Sequence, residues 1–320
     1  MRWETMVVPL FIGVAFAGCD CGGGGAPDAN RTTAFILERL SSNRVERLDL
    51  LLVIDNSPAM ADKQQLLAEA VPELLRELAN PLCLDVHGEP AAEQPSDPLS
   101  PCPAPDTRRA LWPLADIHIG VVTSSLGGHG SDSCLAASPE QASENDAAHL
   151  VDRESVEVGA PDVPTWDGWG FLAWDPSGET HSPPGEDDLA DLGEVVRRLV
   201  IGAGEVGCGF EAPLEAWYRF LVDPDPYLSI EVDNANAVLV GTDTALLSQR
   251  QMFLRPDSLL AVLMLSDEND CSLRDGGQFY FAAQSVQPGG GGTPYHLPRP
   301  RAACATEPAS PCCRSCGQGP

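Results

Sequence analysis

The chain has 320 residues, and its 47 Asp and Glu against 19 Lys and Arg give a formal charge of −28. Phosphate recognition needs clustered basic side chains, so that imbalance excludes nucleic acid as an expected partner. Strong acidity fits a soluble extracytoplasmic surface, or one that meets divalent cations.

The first residues carry Arg2, then an apolar run from Met6 to Ala17 broken only by Pro9 and Gly13, and then Gly18-Cys19. A helix spanning a hydrocarbon core of ~30 Å needs about 20 residues, so this run is too short to anchor and reads as a signal peptide over 1–18. Phe16-Ala17-Gly18-Cys19 resembles the bacterial lipobox, whose cysteine receives a diacylglycerol and becomes the mature N-terminus; Phe16 departs from the usual Leu, and Glu4 from a purely basic start. The expectation is an exported lipoprotein held on the membrane of the cell envelope through Cys19. Asp20-Cys21 and the four glycines after them begin a flexible tether over 19–32. Export makes disulfides the natural use of the eleven cysteines, and ten remain to pair once Cys19 is lipidated.

An amphipathic stretch at Thr33–Leu40 precedes Leu48–Asp55, which is almost continuously apolar, ends in a carboxylate and reads as a strand buried on both faces. Ala61–Ala79 sets Leu67, Val71, Leu74, Leu75 and Leu78 opposite Lys63, Glu69, Glu73 and Glu77, an amphipathic helix that Pro72 should kink. A strand at Ile117–Thr123, helices at Asp187–Val200 and Glu211–Leu221, and a strand at Leu259–Asp267 follow. Buried strands alternating with amphipathic helices predict an α/β fold: a doubly wound, mainly parallel sheet whose ligand edge is its C-terminal one. The long polar stretches at about 80–113, 127–185 and 223–256 are expected as insertions in one domain over 33–280. A Gly/Pro/Cys-rich tail over 281–320 is expected to be irregular.

Motifs for nucleophilic hydrolysis, zinc peptidase, phosphate-loop and dinucleotide chemistry are missing from the sequence, so no enzyme is expected. His118, inside a strand, reads as structural, while Ser124 and Ser125 end that strand without a base beside them in sequence. Cys313-Arg314-Ser315-Cys316 has dithiol spacing but no thioredoxin-like frame, so disulfide pairing with Cys304 or Cys312 is the better account. The acidic run Asp267-Glu268-Asn269-Asp270 reads as a solvated loop.

Asp55-Asn56-Ser57-Pro58-Ala59 directly after the first buried strand resembles the Asp-x-Ser-x-Ser of von Willebrand factor A domains. Gly207-Cys208-Gly209-Phe210-Glu211 and Asp267-Glu268-Asn269-Asp270-Cys271-Ser272 resemble loops of cysteine-rich, A-domain-like bacterial lipoproteins. The resemblance runs from about Asp49 to Ser272. It implies a Rossmann-like A-domain fold and a degenerate site for Mg²⁺ or another divalent cation at Asp55, Ser57 and Asp267, which Glu211 could complete. It also implies an adhesion or interaction function toward a protein or cell-surface ligand. Ala59 supplies no oxygen, Cys208 stands about where the family has Thr, and two further strands and helices are missing before Pro320, so the chain is expected to be truncated or closed differently. The resemblance places Cys208 beside Cys271 and implies a disulfide between them; pairing of Cys271 with Cys304, Cys312, Cys313 or Cys316 is the alternative. The other functional expectation is a disulfide-stabilised structural envelope protein with no ligand, in which Asp55 and Asp267 only cap helices.

Overall fold

The computed structural model describes residues 45–286 together with Gly292, Thr306 and Glu307. The signal peptide, Cys19, the tether, the Thr33–Leu40 stretch and nearly all of the tail lie outside the described residues. The elements in chain order are β1 (Arg47–Ile54), α1 (Ala61–Ala79), β2 (Cys83–Leu84), β3 (Arg108–Arg109), β4 (Asp116–Thr123), β5 (Phe171–Trp174), α2 (Leu189–Gly202), α3 (Pro213–Leu221), β6 (Ser229–Asp233), β7 (Asn236–Val240), α4 (Thr244–Phe253) and β8 (Leu259–Leu265). Among the described residues no helix is long and apolar enough to cross a membrane.

The main sheet has the order β5-β4-β1-β8. β4, β1 and β8 are parallel, and β5 closes one side antiparallel to β4. Alternation along the strands divides the apolar side chains between two cores. Leu48, Leu50, Leu52 and Ile54 of β1 join Ile117, Ile119 and Val121 of β4 against Val71 and Leu75 of α1 and Leu192, Val196 and Leu199 of α2. On the opposite face Leu51, Val53 and Val122 meet Phe220 of α3 and Leu246 and Phe253 of α4. Two-sided burial is why β1 reads as an unbroken apolar run. Each such side chain removed from water contributes about 1.5–3 kcal/mol.

β8 differs from β1 in having a neighbour on one side only, and Leu260, Val262 and Met264 stay exposed on the α3 face. Asp188 starts α2 by accepting from the amides of Ala190 and Asp191, and Pro213 supplies the first residue of α3 without an amide to satisfy. α1 continues through Pro72, which packs against Gly193 of α2.

The three long polar stretches hold regular structure. The first contains the β2–β3 pair, tied by Cys83–Cys102, and the third contains the β6–β7 hairpin and α4. The second contributes β5 to the main sheet, so it is more than an insertion. Phe171-Leu172-Ala173-Trp174 is buried throughout, and four residues are too few to show a period.

Candidate functional site

The C-terminal edge is organised around the end of β1. Asp55 is buried; its Oδ1 accepts from the Ser57 amide at 2.9 Å and its Oδ2 from Ser266 Oγ at 2.8 Å. Gln64 Nε2 donates to the Asp55 carbonyl at 2.9 Å. Ser57 Oγ is buried with no hydrogen-bond partner. Asn56 fixes the loop over the edge, accepting from Ser125 Oγ at 2.7 Å while its carbonyl accepts from the Gly207 amide at 2.9 Å. Gly207 allows that approach, because a Cβ there would lie 2.3 Å from Asn56 Oδ1.

Asp267 lies two residues beyond β8, and Lys63 Nζ reaches its carboxylate at 3.2 Å while also donating to the Ala59 carbonyl at 2.6 Å and pairing with Asp62. An ammonium therefore stands beside the carboxylate that the sequence pattern assigns to a metal. Glu211 is nearly buried just before α3; burial first, and then the charges of Asp55, Glu268 and Asp267, raise its pKa. Asp55, Ser57, Glu211 and Asp267 thus share one edge, but the carboxylate oxygens of Asp55, Glu211 and Asp267 do not belong to any three-ligand group that converges within 4.8 Å among the described residues. Asp270 of the acidic run is a cap: its Oδ1 accepts from the Leu214 amide of α3 at 3.0 Å.

Cys208 bonds to Cys134, with Cα atoms 5.2 Å apart, and not to Cys271 as expected. The Cys208 amide donates to Ser125 Oγ at 2.8 Å, which draws the loop under the segment after β4 that carries Cys134. Cys271 instead donates its amide to the Glu211 carbonyl at 2.7 Å, and its thiol has no disulfide partner among the described residues. The 127–134 loop had no place in the sequence expectation, which considered only the two loops bearing family-like motifs.

Among the described residues, two groups of His and carboxylate side chains converge closely enough to hold a metal ion. One, at the N-terminal edge, is Asp116, His118 and His181. His181 Nε2 meets Asp116 Oδ1 at 3.0 Å, and the His118 ring donates from Nδ1 to the Phe253 carbonyl at 2.8 Å. Arg255 pairs with Asp49 at 2.8 Å and with Asp116, and Arg47 meets Asp116 at 3.2 Å. Burial, and behind it the Arg255 charge, brings the His118 pKa down to about 4. Burial works against the Asp116 carboxylate, but the His181 hydrogen bond and Arg255 hold its pKa below the ordinary value.

The other group, at the C-terminal edge, is His129, Glu215 and Asp275. His129 Nδ1 lies 2.9 Å from Asp275 Oδ1 and 4.0 Å from Glu215 Oε1, and its Nε2 has no partner. Glu215 is fixed in the first turn of α3, where its amide donates to Ser272 Oγ at 3.0 Å and its Oε2 accepts from the Leu273 amide at 3.2 Å. Burial and then Asp275 push the Glu215 carboxyl up to about 9. No Lys or Arg forms an ion pair with Glu215 or Asp275 among the described residues. Arg219, one turn along α3, meets Asp243 at 3.5 Å and donates to the carbonyls of Ala147 and Tyr227, while its Nη1 has no hydrogen-bond partner and its charge works against the rise in the Glu215 pKa. His129 and Arg219 also line a cavity of about 250 Å³.

None of His129, Glu215 and Asp275 was expected as a site residue. Glu215 reads in sequence as the polar side of a helix, and His129 and Asp275 stand in loops with no recognised spacing. The available signal was Gly127-Gly128-His129-Gly130, a histidine framed by glycines. Gly128 has no room for a Cβ, which would meet the Ser133 carbonyl at 2.2 Å.

Among the described residues, fold and site define an α/β protein with a mixed, mostly parallel four-stranded sheet, two disulfides, and acidic and His groups at the sheet edges that could hold a metal ion. No family model, curated protein or solved structure matches the chain.

Proposed function

We propose that this chain is an exported envelope lipoprotein, held by a lipid on Cys19, whose folded region is an A-domain-like interaction or adhesion module. It binds a protein or cell-surface ligand at the C-terminal sheet edge. The supporting observation is Ser57: a buried hydroxyl without a partner, next to Asp55 at the end of the central strand, is costly unless something fills its bonding capacity. Asp55, Ser57 and Glu211 are hard oxygen donors suited to Mg²⁺, and a bound ion would leave a position for a carboxylate of the partner. Asp267 joins them only if Lys63 releases it, so Lys63 and the cation compete for one carboxylate.

The test is thermal unfolding of the full chain with and without Mg²⁺ or Mn²⁺. The expected result is a cation-dependent rise in Tm that Asp55→Ala removes and that Lys63→Met and Ala59→Ser enlarge, because only the folded state has the site. No shift in wild type, Lys63→Met or Ala59→Ser would eliminate cation-mediated binding at Asp55. The second reading, a structural envelope protein without a ligand, draws on the Lys63–Asp267 ion pair and on the two internal donors to Asp55. For the anchor, Cys19→Ser should abolish incorporation of labelled fatty acid; labelling that persists would contradict lipidation at Cys19.

A further inference from the structure

We infer that His129, Glu215 and Asp275 form a binding site for a divalent transition-metal ion of the zinc class, separate from the Asp55 edge. Three remote parts of the chain meet there: the loop after β4, the first turn of α3 and the segment after β8. In a tetrahedral ion with bonds of ~2.1 Å the donor atoms stand ~3.4 Å apart. The separations from His129 Nδ1, 2.9 Å to Asp275 and 4.0 Å to Glu215, bracket that value, so small side-chain movements close the set. One imidazole nitrogen with two carboxylates suits Zn²⁺, and also Mn²⁺ or Co²⁺, better than Mg²⁺ or Ca²⁺, which favour oxygen alone.

Charge separates this group from the one at the N-terminal edge. Asp49 and Asp116 face Arg255 and Arg47, so a divalent ion beside Asp116 would add charge to a balanced cluster. Glu215 and Asp275 form no ion pair with a Lys or Arg among the described residues, so a divalent ion entering there displaces the proton held between the two carboxyls and not a side-chain cation. The His129 side chain, 1% exposed, supplies a second observation: it is buried among these carboxyls with its Nε2 unpartnered. Coordination through Nδ1 fixes the tautomer with the proton on Nε2, the nitrogen that a metal-bound imidazole ordinarily uses for an outer hydrogen bond. Three protein donors leave a fourth position for water or a donor of a bound ligand. Cys134–Cys208 holds the loop that carries His129, so the site is built in the oxidised chain.

The experiment uses the full-length, disulfide-intact protein, stripped with chelator and titrated with Zn²⁺ and, separately, Co²⁺. The expected result is binding of about one ion per chain with a visible Co²⁺ spectrum of a site containing an imidazole nitrogen, and a loss of at least tenfold in affinity in Asp275→Asn and Glu215→Gln. Asp55→Ala should leave this binding in place, so its failure is distinguishable from that of the Asp55 edge. Asp275→Asn, in a partly exposed loop, decides the matter if Glu215→Gln does not fold. Wild type that is folded by near-ultraviolet circular dichroism yet binds neither ion, or an Asp275→Asn protein that binds as wild type does, would overturn the site and leave a hydrogen-bonded carboxyl pair in its place.

Discussion

The two His/carboxylate clusters sit at opposite ends of the same sheet and solve the same electrostatic problem differently. At the N-terminal edge the chain provides its own cation: Arg255 donates to Asp49 through its amide and Nε and pairs with Asp116. At the C-terminal edge Glu215 and Asp275 converge on His129 with no Lys or Arg in ion-pair contact among the described residues; Arg219 pairs with Asp243, and its charge reaches Glu215 from one turn away without an ion pair. The Asp55 region lies between these cases, since its cation is Lys63, a flexible and exposed side chain that can let go. Ligand chemistry is therefore to be sought where buried carboxyls meet without an arginine or lysine in ion-pair contact, and stability where one is present.

The largest effect should come from removing the compensation. Arg255→Met leaves Asp49, which is fully buried, without its guanidinium and Asp116 with Arg47 alone, and should lower stability by about 3–5 kcal/mol in urea unfolding. Added Zn²⁺ should not rescue it. A loss below about 1 kcal/mol would mean that the N-terminal cluster is not held by charge pairing.

Next in size is the Cys134–Cys208 bond, which closes 74 residues of chain. Replacing both cysteines by alanine should cost about 4 kcal/mol on the chain-entropy view and weaken zinc binding as well, because the His129 loop loses its tie. Removing Cys83–Cys102, which spans 19 residues and lies away from either cluster, should cost about 3 kcal/mol and leave zinc affinity unchanged. Non-reducing peptide mapping that recovers Cys208 joined to Cys271 would contradict this arrangement.

A smaller effect appears with pH. The folded His118 has a pKa near 4, below the ~6.5 of the unfolded chain, so folding favours its neutral form. Its contribution is full above pH ~6.5 and is lost as pH falls toward ~4, by at most ~3 kcal/mol. Acid unfolding of wild type and His118→Leu, followed between those pH values, should show a shallower slope in the variant; equal slopes would remove His118 from the account.

Much of the parallel core was legible because its elements are long and periodic. α1 occupies the residues its 3.6-residue pattern marks, and β1, β4 and β8 fall on the three apolar runs. β5 was missed because four buried residues between Gly, Trp and Pro carry no period, and α4 because its apolar face is short. The Asp55 edge was legible from a motif, but Lys63 was read only as the polar side of a helix, and its reach to Asp267 depends on how α1 leaves the edge. The partner of Cys208 could not be read from spacing, since the loop to Cys134 is placed by hydrogen bonds through Asn56, Ser125 and Gly207. His129, Glu215 and Asp275 come from three segments that only the fold brings together.

The most direct test of the contrast between the clusters is calorimetric titration of Zn²⁺ into chelator-stripped wild type, Asp275→Asn and His181→Ala. The account predicts binding heat in wild type that Asp275→Asn loses and His181→Ala keeps. Binding that His181→Ala abolishes and Asp275→Asn retains would place the metal at the arginine-compensated edge and contradict the account.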